Sequence, residues 1–438
     1  MNAPPVALSR QPGLVGLLAR KGVHYGWVVA GVTFLTMLAT AGAVGAPGIL
    51  IGPLQGEFGW ATADISSAFA VRLVLFGLMG PFAAAFMNRF GVRRVAGFAL
   101  ALNAAGILGS LAMTQLWQLL LLWGVVVGFG TGLTAMVLGA TVATRWFVHR
   151  RGLVMGLLTA STATGQLVFL PLLAQLTESV GWRGALVFVL AILALTAVVV
   201  LLLMRDAPAD VGLMPYGATE PPVTVARPAT LRAMLASPLL ALREASGSTT
   251  FWVLFASFFV CGASTNGLIQ THFVPLCGDF GLSAVTAAGM LAAIGVFDFL
   301  GTVGSGWLSD RFDSRRLLFW YYGLRGLSLI YLPFTDFSFG QLSVFAVFYG
   351  LDWVATVPPT VKLTADRFGP RANLVFGWVF AGHQLGAAVA AYGAGFSRTF
   401  YATYLPAFFV AGLLCVVIAL VVVGVREGRV APAAVPPG

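Results

Sequence analysis

Asn88-Arg89-Phe90-Gly91-Val92-Arg93-Arg94 stands between two long apolar runs, and Ser309-Asp310-Arg311-Phe312-Asp313-Ser314-Arg315-Arg316 stands between two others. Aligning Asn88 with Asp310 places the copies 222 residues apart (310 − 88), about half of the 438-residue chain. Each copy is a short basic turn preceded by two apolar stretches, and both share the spacing Arg-Phe-x-x-Arg-Arg. The positive-inside rule makes any cytoplasmic loop basic, but it does not dictate that spacing. A helix–basic turn–helix unit repeated at half the chain length predicts two membrane-embedded halves of six helices each.

Composition narrows the class. At 59% hydrophobic and 9% charged, the chain is excluded from the water-soluble globules, in which about 25% of residues are charged. Its length instead suits about a dozen spans of roughly 20 apolar residues. A net charge of +10 would suit a nucleic-acid partner, so its distribution decides. Twenty-one of the 25 Lys and Arg fall in the termini and the even-numbered inter-span loops, together with eight acids. The odd-numbered loops hold Arg183 and Arg398 with five acids, and the spans hold Arg72 and Arg325 with two. The split of +13, −3 and 0 is an orientation signal with both termini cytoplasmic, and not a nucleic-acid footprint. Three cysteines give no disulfide framework. Cys261 and Cys277 lie 16 residues apart on one expected helix, about 24 Å along its axis, and all three read as small core residues. The four His are scattered without metal-ligand spacing, so neither a metal nor a cofactor is expected.

The hydropathy pattern divides the chain. Residues 1–24 form a cytoplasmic tail expected to be poorly ordered. Spans 1 to 6 fall near 25–53, 64–87, 95–113, 117–144, 153–176 and 184–204, and make an N-terminal bundle over 25–204. Residues 205–248, rich in Pro, form a cytoplasmic linker with a short surface helix near 231–243. Spans 7 to 12 fall near 250–276, 284–308, 316–334, 341–363, 373–396 and 404–424, making a C-terminal bundle over 249–425. Residues 426–438 are a Pro/Ala-rich cytoplasmic tail. The expected fold is all-α and integral to the membrane, with twelve transmembrane helices in two pseudo-symmetric six-helix bundles.

Tyr25-Gly26-Trp27 opens span 1, Trp146-Phe147-Val148-His149-Arg150-Arg151-Gly152 leads into span 5 with Gly156, Ala160 and Gly165 after it, and Gly181-Trp182-Arg183 precedes span 6. Together these resemble the monocarboxylate transporter branch of the major facilitator superfamily, including its oxalate–formate antiporter relatives. The two basic turns resemble the superfamily's signature loop, Gly-x-x-x-Asp-Arg-x-Gly-x-Arg-Arg. The second copy keeps Gly306 and Asp310 but has Asp313 for a Gly; the first has Ala84 and Asn88 for the Gly and the Asp. The resemblance implies a facilitator fold with a central cavity. It also implies an Asp in span 8 followed four residues on by Arg, and a span 1 lysine beside a proline. Asp298 matches the Asp, whereas Thr302 and Gly48 stand where the two cations would be.

Charge inside hydrocarbon is costly, so each Asp, Glu, Lys or Arg within the membrane interior is a functional candidate. There are four: Arg72, Asp298, Arg325 and Asp352. Arg72 can anchor a carboxylate through its planar fork; the alternatives are a salt bridge or snorkelling to the interface. Asp298 and Arg325 lie at matching depth on consecutive antiparallel spans, about 15–18 Å from the cytoplasmic side. They are expected to pair, either as a proton-coupling site or as a structural link, with Asp352 as a second carrier. Tyr349, Asp352, Trp353 and Thr356 follow one helical face above Pro358-Pro359, and that face meets a cavity or another helix; the resemblance implies the cavity. Asn266 and Gln270 in span 7, and His383 and Gln384 in span 11, are further substrate-binding candidates or interhelical hydrogen-bonding groups. Asn88, Arg89, Arg93, Asp310, Arg311 and Arg315 are expected to form conformational latches at the basic turns.

No phosphate-binding Gly-rich loop or cytoplasmic nucleotide-binding domain occurs, so gradients must drive any transport. The sequence therefore reads as a secondary transporter, not an enzyme, in a bacterial inner (plasma) membrane and functional as a monomer. Its expected partners are a small organic anion, protons and the lipid bilayer, with symport by alternating access. The competing reading is an exporter of a drug-like or aromatic metabolite by proton antiport.

Overall fold

In a computed structural model of the chain, residues 14–134, 136–218, 230–309, 311–368 and 372–424 are described. Asp310 and the tail after 424 lie outside them. Span 1 comprises Gly26–Gly45 and Pro47–Phe58, span 2 Thr62–Phe90, and span 3 Val92–Ser110. Span 4 runs from Leu116 through a π-helical stretch, Leu120–Val127, to Gly128–Leu133, and resumes over Met136–Trp146. Spans 5 and 6 are two helices within Arg151–Leu203, separated at Gly181, whose non-helical backbone (φ 79°, ψ 164°) suits glycine. Span 7 is Thr249–Gly262, a π-helical stretch Ala263–Ile269, and Gln270–Asp279. Spans 8 and 9 are Ala284–Ser309 and Ser314–Tyr331. Span 10 is Phe339–Asp352 plus Val357–Phe368, span 11 Ala372–Tyr401, and span 12 Leu405–Val423.

Among the described residues, ten helices are long and apolar enough to cross a membrane. The other two positions are filled by the first arm of Arg151–Leu203 and by Ser314–Tyr331, whose Arg315, Arg316 and Arg325 dilute its hydropathy. Only helices satisfy every backbone group within their own segment, as a lipid environment requires. Leu14–Arg20 is helical, which corrects the expectation of a poorly ordered tail over that stretch. The surface helix expected near 231–243 is present as Leu231–Ala245 and docks beneath span 11, where Trp378 Nε1 donates to Pro238 O at 2.8 Å.

The 222-residue offset continues into the packing. A Cβ at Gly128 would stand 3.1 Å from Cα of Arg72 and 3.2 Å from Cβ of Leu75. At Gly350 it would stand 3.2 Å from Cα of Ile294 and 2.8 Å from Cβ of Phe297. Each residue of the second set is the first set's counterpart 222 positions on. Spans 2 and 4 thus cross as spans 8 and 10 do, through glycines that admit close helix approach. Spans 1 and 7 meet at counterpart positions as well, because a Cβ at Gly48 would lie 2.7 Å from the carbonyl oxygen of Gln270.

The linker's first residues belong to the first half. Tyr216 N donates to Trp146 O at 2.7 Å, and Val148 N and His149 N donate to Tyr216 O at 3.0 and 3.1 Å. His24 accepts from Gly26 N at Nδ1 (3.1 Å) and lies 2.9 Å from Met214 O through Nε2. Burial lowers its pKa below the usual histidine value. Trp27 packs edge-on against Phe147 and Tyr216. The motif residues at the starts of spans 1 and 5 therefore meet in one clasp at the end of the bundle where span 1 begins.

Candidate functional site

The site begins with a missing pair of donors. Pro358 and Pro359 have no amide hydrogen, so the carbonyls one turn before them lose their helical partners. The helix stops at Asp352, residues 353–356 form a turn, and helix resumes at Val357. Each freed backbone group must find a partner in this apolar surrounding. Arg325 Nη2 donates to Asp352 O at 2.5 Å and to Trp353 O at 3.0 Å. Val354 N donates to Asp298 Oδ1 at 2.9 Å, Ser305 Oγ to Ala355 O at 2.5 Å, and Val357 N to Val354 O at 2.9 Å.

Arg325 is fully buried and pairs with Asp352, Nε to Oδ2 at 2.7 Å. This overturns the expected Asp298–Arg325 pair. Spans 8 and 9 are consecutive, but at this depth span 10 packs against both and brings Asp352 between them. Asp298 instead accepts from Val354 N and, at 3.0 Å, from Thr302 Oγ1. Cys261 is also more than a small core residue: its Sγ lies 3.0 Å from Arg325 Nη1 and 3.4 Å from Thr356 Oγ1. Tyr349 is fully buried, with its hydroxyl donating to Ser264 O at 2.7 Å, and Trp353 packs edge-on against it. The expected aromatic stripe therefore packs on span 7.

A second group of polar side chains lies nearby, and one of its members, His383, borders Cys261 of the first cluster. Arg72 is 2% exposed, and its Nε has no hydrogen-bond partner among the described residues. Gln384, 1% exposed, has neither amide atom paired, and Gln270, 4% exposed, has Nε2 unpaired. Gln384 lies against Gly77 of span 2, and Gln270 against Gly48 of span 1, so both sit where the two halves meet. His383 stacks on Phe380, lies 3.5 Å from Thr265 Oγ1 through Nε2, and leaves Nδ1 unpaired. Asn266 is half-buried in the π-helical stretch, where the spacing to Gln270 is no longer that of a regular helix. Gly48 is a point of backbone contact, with no room for the lysine that the resemblance implies in this conformation.

The first basic turn is tied down by residues that its own motif does not include. Asn88 Oδ1 accepts from Arg145 Nη2 at 2.5 Å, and Arg93 N donates to Asp206 Oδ1 at 2.8 Å. Arg93 Nη2 also donates to Leu201 O, while Arg89 lies over the Phe90 ring. Asp206 fills the space that a side chain at Gly91 would need. In the second copy, Asp313 caps span 9 by accepting from Arg315 N at 2.8 Å and pairs with the Arg315 guanidinium at 2.7 Å. The Arg315 hydrogen bonds hold its carboxyl below the usual carboxylate range. Arg311 stacks on Trp307, and Lys362 Nζ donates to Ser309 O at 2.5 Å. The latch residue Asp310 lies outside the described residues.

A family model described as Major Facilitator Superfamily matches residues 32–391, and the chain belongs to that superfamily. It is therefore an integral membrane transporter of a small molecule. The chain is 30% identical over 341 residues to monocarboxylate transporter 11 of Homo sapiens, covering 75% of this chain and 67% of that one. It is 27% identical to monocarboxylate transporter 13 of Rattus norvegicus (89% and 86% covered). To the MFS-type transporter YcxA of Bacillus subtilis, itself described as uncharacterized, it is 26% identical (78% and 81%). These relatives bear out the resemblance to the monocarboxylate transporter branch. The fold matches that of a D-xylose–proton symporter, with a TM-score of 0.70 at 15% identity over 91% of this chain and 97% of that one.

Proposed function

We propose that the chain carries a small organic anion, a monocarboxylate, by alternating access with proton symport, as a monomer in a bacterial inner membrane. The observation that carries this reading is Arg72: a buried cation with no partner among the described residues. An isolated buried charge is strongly disfavoured, and a bound carboxylate would relieve it. The unpaired amides of Gln384 and Gln270 supply neutral donors at the interface between halves. The relatives named as monocarboxylate transporters support the substrate class. Export of an aromatic compound has less support, because Tyr349 is buried against span 7. Asn266, Trp353 and His383 complete the proposed substrate-facing set.

Asp298 is the proposed proton site, with Arg325 and Asp352 as its electrostatic surroundings. Asn cannot release a proton, so Asp298→Asn in proteoliposomes should retain substrate counterflow and lose accumulation driven by a pH gradient. Normal pH-driven accumulation would sink the assignment. The basic turns, with Asn88, Arg89, Arg93, Asp310, Arg311 and Arg315, are proposed as latches on the cytoplasmic side. That orientation follows from the +13 and −3 charge split. Cysteine introduced at Glu57 should label in intact cells while cysteine at Asp206 stays protected, and the reverse pattern would invert the topology.

A further inference from the structure

The linker helix Leu231–Ala245 has two faces of different kinds. Its inner face is packed. Trp378 of span 11 donates to Pro238 O at 2.8 Å, and Leu242 and Ala245 join an apolar cluster that includes Trp378 and reaches Leu78 and Phe82 of span 2. The helix therefore meets span 2 of the first half and span 11 of the second. Its outer face is unlike one turned to water. Leu239 and Leu240 are 51% and 55% exposed, and Arg232 and Arg243 are exposed beside them. With 3.6 residues per turn, the four fall within an arc of about 100°, the arginines between the leucines. The exposed Ser237 and Glu244 lie past Leu240, on the flank away from Leu239. The depth of the helix is fixed at its end: Trp252, 51% exposed on the first turn of span 7, donates from Nε1 to Ser246 O at 2.7 Å. A lipid-facing tryptophan at a span end marks the membrane–water interface, so the helix ends at that level. Leucines there enter the acyl boundary, while arginine stems reach back to the headgroups.

We propose that Leu231–Ala245 is a membrane-binding helix, with Leu239 and Leu240 seated in the leaflet and Arg232 and Arg243 bound to the phosphates of anionic phospholipids. The occupant follows from charge and depth. Two guanidinium forks on an apolar face match an anionic headgroup layer, and a soluble protein would have to enter that layer to reach the same face. The proposal depends on the chain spanning a membrane, and neither on the molecule carried nor on which side is cytoplasmic. Because the helix meets both halves, lipid bound to it braces their contact from outside the substrate site.

Two measurements on the purified full-length protein in nanodiscs, with no substrate added, test this. Cys261, Cys277 and Cys415 are all buried, so a bimane attached through Leu239→Cys reports on that position. Its fluorescence should be quenched by spin-labelled lipid and resist aqueous iodide. Hydrogen–deuterium exchange over 231–245 should be slower by about tenfold in discs of equal phosphatidylcholine and phosphatidylglycerol than in phosphatidylcholine alone. Exchange over Thr249–Gly262 should not change. The variant Arg232→Gln/Arg243→Gln alters only exposed side chains and should fold, and in it the lipid difference should fall to within about twofold. Quenching by iodide and not by lipid would overturn the proposal and give the face to a soluble partner. Equal exchange in the two lipids would overturn it too, as would slowing that is uniform along the chain. An undiminished lipid effect in the double variant would place the recognition elsewhere and sink the assignment to these arginines.

Discussion

Replacing Arg325 by methionine is expected to cost about 3–5 kcal/mol of stability, the usual penalty for removing one partner of a buried ion pair. The physical origin is specific. Asp352 would remain buried with no cation, its Oδ1 being unpaired already, and the carbonyls of Asp352 and Trp353 would lose the donor that replaces their helical partners. Methionine matches much of the arginine stem, so packing loss is the smaller contribution. The double variant Arg325→Met/Asp352→Leu should recover part of the loss, because it removes the stranded charge while leaving the carbonyls unserved. Thermal unfolding of the detergent-purified protein measures both. A single variant as stable as the parent would mean that the pair adds nothing to the fold, and a double variant no better than the single would place the cost in the carbonyls.

Arg72 should show the opposite pattern, a large loss of binding with little loss of fold. It has no protein partner among the described residues to strand, so Arg72→Ala relieves an uncompensated charge and should hold or raise thermal stability. The same change should weaken binding of a short monocarboxylate by about a hundredfold, equivalent to about 2.7 kcal/mol. Arg72→Lys keeps the charge but not the planar fork and should weaken it by about tenfold. Ligand-induced thermal shift across a concentration series separates the two quantities, since a ligand stabilises by mass action. Unchanged affinity in Arg72→Ala would remove it as the anchor, and a collapse in stability would identify it as a structural charge.

The architecture was open to sequence reading because apolar spans and basic turns are local patterns. The break in span 10 was too, because two adjacent prolines admit no continuous helix. What fills the break was not. Its partners come from Asp298, Ser305 and Arg325, and matching depths on spans 8 and 9 cannot reveal a third helix between them. The tie between Asp206 and the first basic turn was hidden similarly, since Asp206 stands in a stretch with no periodicity to place it. The 222-residue offset that aligns the basic turns also aligns Gly128 with Gly350 and Arg145 with Arg367. Followed through the whole chain, it marks the helix crossings as well as the loops.

That offset also pairs Arg72 with Ile294, Asn103 with Arg325, and Gly130 with Asp352. In the first half, Asn103 is buried against Gly130 with both its side-chain polar atoms unpaired; in the second, the same places hold a closed ion pair. Two identical halves would enclose a bound molecule between matching walls and allow it to turn about the axis relating them. Here one wall offers a bare cation and the other a neutralised pair. If Arg72 anchors the anion as proposed, an amphipathic guest would take a head side and a body side before either half moves.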